Sequence, residues 1–252
     1  GVEITIGARP VVTRDFTWNT SLNFGYNKNK ITRLSGASTM IGAEAIPNGT
    51  GGNISYHMVG EPAFTFMVYE QVYDADGNPL EGQYVDQNGD GIINDSDLIK
   101  FHSKDPKATF TWNNNFTYKN WDLGISLRAN VGNYVYNNPK FESSRVFNTA
   151  AAQYQLTNLF ADTYLFKKED SQLNKSSYFV ENASFIRCDN ITLGYTFDKL
   201  LSGNLNLRLF GAVQNPFVIT KYKGLDPEVF SGVDNNCYPR PITCTLGLVA
   251  TF

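Results

Sequence analysis

Alternation of apolar and polar residues with a period of two is the feature that most constrains this chain. Over residues 16–26 the even positions are mostly aromatic or aliphatic, while the odd positions carry Thr, Asn, Ser and Gly. The same alternation recurs over residues 110–118, 121–131, 205–209 and 242–252. Successive side chains of a β-strand point to opposite faces, so each segment predicts a strand with one apolar and one polar face. The sequence therefore predicts an all-β chain of antiparallel strands.

Three further segments, residues 2–6, 63–73 and 185–197, also have the composition of strands and raise the predicted number to about eight. A short helix is predicted within residues 143–164, where three alanines follow one another. We treat the whole chain, residues 1–252, as a single unit. Long connections between the strands are predicted at about 27–60, 74–107, 136–184 and 216–240.

The lengths of strands and loops distinguish two architectures that share this alternation. Strands of soluble β-sandwiches have about five or six residues. Strands of outer-membrane barrels have about ten, between short turns on one side and long loops on the other. Several strands predicted here reach ten residues, and the connections at 119–120 and 198–204 are short. The pattern therefore favours an antiparallel transmembrane β-barrel whose apolar face contacts lipid.

Charged residues indicate which face meets lipid, because an Arg or Lys facing lipid at the membrane midplane costs about 2–4 kcal/mol. Asp122, Arg128 and Arg208 all take polar positions, which makes them candidates for the barrel interior. Arg187 and Asp189 take the apolar parity instead. We expect these two residues near the outer rim, where the cost falls to about 0–1 kcal/mol.

The number of predicted strands between residues 26 and 110 does not fit this topology. If the short connections lie on the periplasmic side, an even number of strands joins Tyr26 to Phe110, yet only residues 63–73 resemble a strand between them. We therefore expect a further, weaker strand within residues 28–60 or 79–107.

Composition argues against several functional classes. The chain has 21 Lys and Arg against 24 Asp and Glu, a formal net charge of −3, and no basic run that would hold nucleic acid. Its two histidines lie far apart, and its three cysteines lack the CxxC spacing of zinc sites. We expect neither an enzyme nor a nucleic-acid-binding protein.

Several stretches of the sequence carry a resemblance to a known family. They are Tyr84–Gly91, Tyr118–Leu123, Ser184–Arg187 running into Asn190–Phe197, and Gln214–Phe217 followed by Thr220–Glu228. In order and spacing these stretches resemble the C-terminal part of the SusC/RagA family of TonB-dependent outer-membrane transporters. The terminal Phe252, which closes an alternating strand, is similar to the signal that marks outer-membrane barrels for insertion.

The resemblance implies that the predicted strands belong to a barrel of about 22 strands in the outer membrane of a Gram-negative cell. It implies import of glycans or peptides, with a SusD-like surface lipoprotein as partner. The TonB complex would act through a plug domain that we do not expect within these residues. The other partners implied are the remaining strands of the transporter and membrane lipid. Asp122, Arg128 and Arg208 would then face the substrate path.

Two other hypotheses stay open at this point. One is a standalone small outer-membrane barrel with an adhesive or structural role, which pairing between the first and last strands would support. The other is a soluble glycan-binding β-sandwich, which folding in water without detergent would support.

One segment has the spacing of a calcium-binding loop. Asp86, Asn88, Asp90 and Asp97 match positions 1, 3, 5 and 12 of such a loop, and Ile92 offers its carbonyl at position 7. Position 12 is Asp instead of the usual Glu, which shortens the closing ligand. The sequence therefore predicts a structural Ca²⁺ site, and the alternative is a turn whose carboxylates face water.

Overall fold

The computed structural model describes residues 1–36, 38–47, 52–146, 163–200, 205–235 and 238–252. Its strands, in chain order, are β1 (Val2–Val12), β2 (Phe16–Tyr26), β3 (Met40–Ala45), β4 (Asn53–Met58), β5 (Thr65–Tyr69), β6 (Gln71–Tyr73), β7 (Pro79–Tyr84), β8 (Leu98–Ser103), β9 (Ala108–Tyr118), β10 (Trp121–Val131), β11 (Tyr134–Asn137), β12 (Val180–Asn182), β13 (Phe185–Leu200), β14 (Leu205–Thr220), β15 (Val233–Asp234) and β16 (Thr243–Thr251). The helical segments in these ranges are α1 (Asn138–Ser144) and 3-10 turns at Asp95–Asp97, Leu173–Lys175 and Ser177–Phe179. None of these helices has the length and apolar content that a membrane crossing requires.

Seven long strands form one sheet, which we call the wall sheet. Their order is β1-β2-β9-β10-β13-β14-β16, and each strand runs antiparallel to its neighbours. This confirms the predicted antiparallel barrel architecture. Within the described residues β1 pairs only with β2 and β16 only with β14, so the sheet is open. The wall sheet is thus a section of a barrel, and the first and last strands do not close a small barrel of their own.

The segment predicted as a strand at residues 63–73 does form strands, β5 and β6, but both lie outside the wall sheet, so counting this segment among the barrel strands was wrong. Tyr26 at the end of β2 pairs directly with Ala108 at the start of β9, so no wall strand intervenes. The short strand β5 is buried on both faces, unlike the half-exposed strands of the wall. Strands do form within both ranges in which an extra strand was expected, β3 and β4 in 28–60 and β7 and β8 in 79–107, but none of them joins the wall sheet. Because β2 pairs directly with β9, no wall strand is needed between them. Residues 27–107 therefore form one long connection between β2 and β9.

The wall sheet has two chemically different faces. Cross-strand register places Ile6 beside Leu22, Leu22 beside Trp112 and Trp112 beside Leu127, so the apolar positions of neighbouring strands coincide. Protein covers these side chains only in part, and Leu246 at the β16 edge is 91 % exposed. We call this the apolar face and its reverse the polar face. An uncovered apolar face across seven strands is what lipid contact produces.

The connections at one end of the wall fold together into a loop layer, defined as the described residues of 27–107, 132–184 and 221–242. It contains the sheets β3-β4-β5-β8 and β12-β11-β15 and the ribbon β6-β7. The loops predicted at 136–184 and 216–240 begin at different residues, because β11 joins the loop layer and β14 continues to Thr220.

Unlike the wall sheet, the loop layer has a dry core. Its buried apolar side chains are Ile46, Ile54, Phe66, Val68, Tyr136, Phe141, Phe166, Leu173, Phe179, Val180 and Val233. The short helix α1 packs Phe141 into this core and begins after Asn137, whose side chain accepts a hydrogen bond from the Lys140 backbone N–H. It overlaps only the first residues of the helix predicted at 143–164, and residues 147–162 lie outside the described part of the chain.

Candidate functional site

The three candidates for the barrel interior all lie on the polar face. Asp122 and Arg208 form a bidentate ion pair, with Arg208 Nε 2.8 Å from Oδ1 and Nη2 2.5 Å from Oδ2. The pair spans three strands, because Asp122 lies on β10 and Arg208 on β14, with Gly194 of β13 beneath them. A Cβ at Gly194 would come within 2.6 Å of the Asp122 carboxylate. The absence of a side chain at this position therefore leaves the space in which the pair forms.

Arg187 lies on the polar face, contrary to the parity argument. Between β10 and β13 the register moves from Ser126 opposite Asn190 to Leu127 opposite Cys188, so Asp189 is the extra residue of a β-bulge. The bulge reverses the alternation, and Arg187 consequently lies opposite Arg128. Arg187 does lie near the loop end of β13, as expected, but the prediction that it takes the apolar face was wrong, because strict period-two counting fails across a bulge.

Arg128 and Arg187 hold a loop against the wall. Arg187 is 3 % exposed, and its Nη2 lies 2.7 Å from an Asp226 oxygen. Arg128 donates to Glu228, with Nη2 3.0 Å from Oε2, and to Asp189. Asp226 and Glu228 belong to the connection between β14 and β16. Two wall strands thus bind the acidic groups of one loop.

Arg240 adds a further positive charge to this cluster, 2.9 Å from Glu228 Oε2. We call Arg128, Arg187, Arg240, Asp189, Asp226 and Glu228 the charge cluster. Its three positive and three negative groups balance, and most of them are partly or fully removed from water. All three nitrogens of the Arg128 guanidinium therefore donate to carboxylates of the protein itself.

Sequence reasoning missed Arg187, Asp226 and Glu228 as site residues. The signal was present, because Asp226 and Glu228 lie in one of the stretches that carry the family resemblance. The sequence did not show that Arg187 pairs with Asp226, because the two residues are 39 positions apart and meet only through the fold.

The predicted calcium loop is coiled around its own side chains. Asp86 Oδ1 accepts a hydrogen bond from Gly89 N–H and Oδ2 one from Gly91 N–H, both at 2.7 Å. Asp90 Oδ1 accepts from Ile92 N–H at 2.8 Å. These backbone donors, Gly91 first, lower the pKa of the Asp86 carboxyl, because they stabilise its charged form.

The end of the loop returns to its start. Asp97 is fully buried, and its carboxylate accepts hydrogen bonds from Gln87 N–H and Asn94 N–H, both at 2.9 Å. Asn88 donates its amide to Asp90 at 3.0 Å. Across the described part of the chain, no three His, Cys, Asp or Glu side chains are grouped closely enough to hold a metal ion by themselves. The loop therefore supplies the predicted donor atoms, and backbone N–H groups occupy several of them.

Over its whole length, the chain is similar in sequence to TonB-dependent receptors. It is 40% identical over 265 residues to the TonB-dependent receptor SusC of Bacteroides thetaiotaomicron, covering 100% of the chain and 26% of that protein. It is 28% identical over 285 residues to the TonB-dependent receptor P3 of Formosa agariphila, covering 100% of the chain and 28% of that receptor. No protein-family model matches.

A solved structure has the same fold. The RagAB peptide transporter superposes with a TM-score of 0.73 and 21% sequence identity, over 98% of this chain and 28% of that one. The chain therefore spans little more than a quarter of the length of the relatives it matches.

Proposed function

Because the chain belongs to the SusC/RagA family of TonB-dependent receptors, we propose that it forms wall and outer loops of an outer-membrane importer of glycans or peptides. The observation that carries the proposal is the contrast within one molecule. The wall sheet leaves its apolar face uncovered, whereas the loop layer buries its apolar residues. Lipid solvates the first region and water surrounds the second.

In this proposal the chain acts without catalysis. The polar face borders the substrate path, and the loop layer surrounds its outer entrance. A SusD-like surface lipoprotein covers that entrance, and the TonB complex drives transport through a plug domain elsewhere in the transporter. The names of the relatives support the TonB dependence, and the likeness to a peptide transporter, RagAB, supports peptides as one class of cargo.

The test uses the transporter as the cell makes it. We expect it to fractionate with the outer membrane and, after mild detergent extraction, to retain a lipoprotein that intact-mass spectrometry identifies. Growth on the transported glycans or peptides should stop when TonB is deleted, while growth on glucose should continue as the control. A transporter found in the periplasm, or uptake that is indifferent to TonB, would contradict the proposal.

We also propose that residues 86–97 bind a structural Ca²⁺ ion. Asp86, Asn88, Asp90 and Asp97 would supply side-chain oxygens and Ile92 its carbonyl, the hard oxygen donors that Ca²⁺ prefers. The ion would neutralise the acidic loop and hold it closed. Hydrogen bonds that already coil the loop around Asp86 support this proposal.

Calorimetric titration of the purified transporter with CaCl₂ tests this site. We expect binding by the unaltered protein and its loss in Asp97→Asn. Asp74→Asn is the matched control, because Asp74 also accepts backbone hydrogen bonds in an exposed turn outside the loop. Equal Ca²⁺ binding by the unaltered protein and Asp97→Asn would exclude this site.

A further inference from the structure

A cavity lies where the apolar face of the wall meets the loop layer. Its volume is about 420 Å³, within the range of small-molecule sites. Tyr26, the last residue of β2, borders it and follows Phe24 on the apolar face. The connection between β2 and β9 supplies most of the other lining residues. A ligand in this cavity therefore contacts the outer end of the apolar face and the loop layer at once.

Three lysines line the cavity, and one of them is paired. Lys100 Nζ lies 2.7 Å from a Glu61 carboxylate oxygen, so these two charges compensate each other. The side chains of Lys28 and Lys107 are exposed and have no ion-pair or hydrogen-bond partner among the residues that the structure describes. These two ammonium groups can therefore bind an anion without breaking an existing contact.

The lining as a whole has an excess of positive charge. Besides the paired Glu61, the cavity contains the carboxylate of Asp105, which accepts a hydrogen bond from the Asn29 amide at 3.2 Å. The charges of Lys28 and Lys107 outweigh this single carboxylate. The cavity therefore favours an anionic ligand over a cationic one.

His102 adds a hydrogen-bond donor to the lining instead of a further charge. Its ring stacks on the Tyr134 ring, with 3.7 Å between the two centres. Burial and the positive charge of the nearby Lys107 both lower the pKa of His102, so the ring is neutral at pH 7. A neutral imidazole carries one N–H group. An anion beside Lys107 would therefore also lie near this ring.

Apolar surface continues from the cavity along the wall. Beyond Tyr26, towards the middle of the sheet, the apolar face of β2 carries Phe24 and Leu22, which neighbour Phe110 and Trp112 of β9. Protein covers these side chains only in part. A molecule with an anionic head and an apolar body can therefore occupy the cavity and the apolar face together. Phosphate-bearing membrane lipids have this form.

We propose that this cavity binds the phosphate headgroup of a lipid in the outer leaflet of the membrane. The ammonium groups of Lys28 and Lys107 would pair with the phosphate, and the acyl chains would lie along the apolar face next to Tyr26. The inference rests on the outer-membrane location in the proposed function. It goes beyond that function, because the bound lipid is not cargo and joins the loop layer to the membrane surface.

The experiment measures lipid binding by the complete purified transporter in detergent, using native mass spectrometry. The probes are dioleoyl phosphatidate, dioleoylglycerol and glycerol 3-phosphate, which carry the phosphate with acyl chains, the chains alone and the phosphate alone. We expect phosphatidate to bind more tightly than either of the other two. The double variant Lys28→Gln/Lys107→Gln should weaken phosphatidate binding about tenfold, because both ion pairs to the phosphate are lost.

The matched control is the double variant Lys119→Gln/Lys221→Gln. It removes the same charge from two exposed lysines that do not line the cavity, and it should bind phosphatidate as the unaltered protein does. Both double variants should keep the unfolding temperature of the unaltered, lipid-free protein, which shows that they fold.

Each other outcome overturns the inference in a recognisable way. Equal binding of glycerol 3-phosphate and phosphatidate would make the cavity a site for free phosphate. Equal binding of dioleoylglycerol and phosphatidate would mean that the apolar face alone holds the lipid. A phosphatidate affinity that both double variants lose alike would show general charge attraction, and one that neither loses would place the lipid elsewhere.

Absence of phosphatidate binding would also overturn the lipid site. The import function is tested separately, by the dependence of uptake on TonB. If the lipid site fails while uptake still depends on TonB, the import function stands. A transporter found outside the outer membrane would overturn both.

Discussion

The wall sheet and the loop layer use the same apolar residue types in opposite ways. Phe217 lies on the apolar face of the wall and is 45 % exposed, whereas Phe179 lies in the loop layer and is fully buried. The surroundings, more than the residue type, therefore decide whether a phenylalanine is buried by protein or left exposed on the protein surface. The apolar side chains of a barrel wall are covered by lipid instead of by a protein core. The loop layer instead buries its apolar side chains in a core of its own.

The largest effect that separates the two regions is expected for Phe179→Ala. Removing this ring leaves a cavity in a dry core and should destabilise the loop layer by about 3–5 kcal/mol. Hydrogen exchange in the complete transporter should show faster exchange of β4 and β11 amides. Phe217→Ala, its counterpart on the apolar face, should leave those amides unchanged. Equal acceleration in both variants would mean that the two regions are not distinct.

The charge cluster joins the two regions, and Arg187→Leu should separate them. This change leaves the Asp226 and Glu228 carboxylates poorly compensated in a buried site, which costs about 3–5 kcal/mol. Limited proteolysis should then cut within residues 221–242. The control is Lys100→Met, which breaks the exposed pair with Glu61 and should cost at most about 1 kcal/mol. Protease resistance of Arg187→Leu would show that other contacts anchor the loop.

Opposite faces of one wall strand should respond differently to the same charge. Leu22 lies on the apolar face near the middle of β2, so Leu22→Arg should cost about 2–4 kcal/mol. The neighbouring Asn23→Arg places the guanidinium on the polar face and should cost much less. Urea titration of folding into lipid vesicles measures both. If the two variants unfold at the same urea concentration, the assignment of faces is wrong.

The smallest expected effect is the loss of stability of the loop at residues 86–97 in acid. Hydrogen bonds from Gly91 and Gly89 lower the pKa of Asp86 in the folded loop. They therefore stabilise the folded loop fully at a pH above the pKa of an unfolded Asp. This stabilisation is lost as the pH falls through the lowered pKa of the folded loop. Amide exchange at Gly91, measured without Ca²⁺, should therefore accelerate only in strong acid. Asp86→Asn should remove this pH dependence, and an unchanged pH profile in that variant would assign it to another group.

Much of the wall could be read from the sequence, but the loop layer could not. The alternation over Phe16–Tyr26 and Trp121–Val131 predicts both strands with their observed bounds, because period two is a local property. The segment 63–73 was correctly predicted to form a strand but wrongly counted in the wall, because the pattern of a short strand buried on both faces does not show which sheet it joins. The calcium-loop spacing of Asp86–Asp97 was visible in the sequence, but spacing alone could not show how close its carboxylates lie, and in the described residues no three of them are grouped closely enough to hold a metal ion by themselves.

The alternating sequence alone was enough to predict strands with one apolar and one polar face, because the side chains of a strand alternate between its two faces. It could not show that β2 pairs with β9, that Arg187 meets Asp226, or that the bulge at Asp189 turns Arg187 to the polar face. These facts depend on contacts between residues far apart in the chain. Strand pairing, bulges and buried ion pairs depend on which segments come together in the fold, and the local sequence pattern of one segment does not show this.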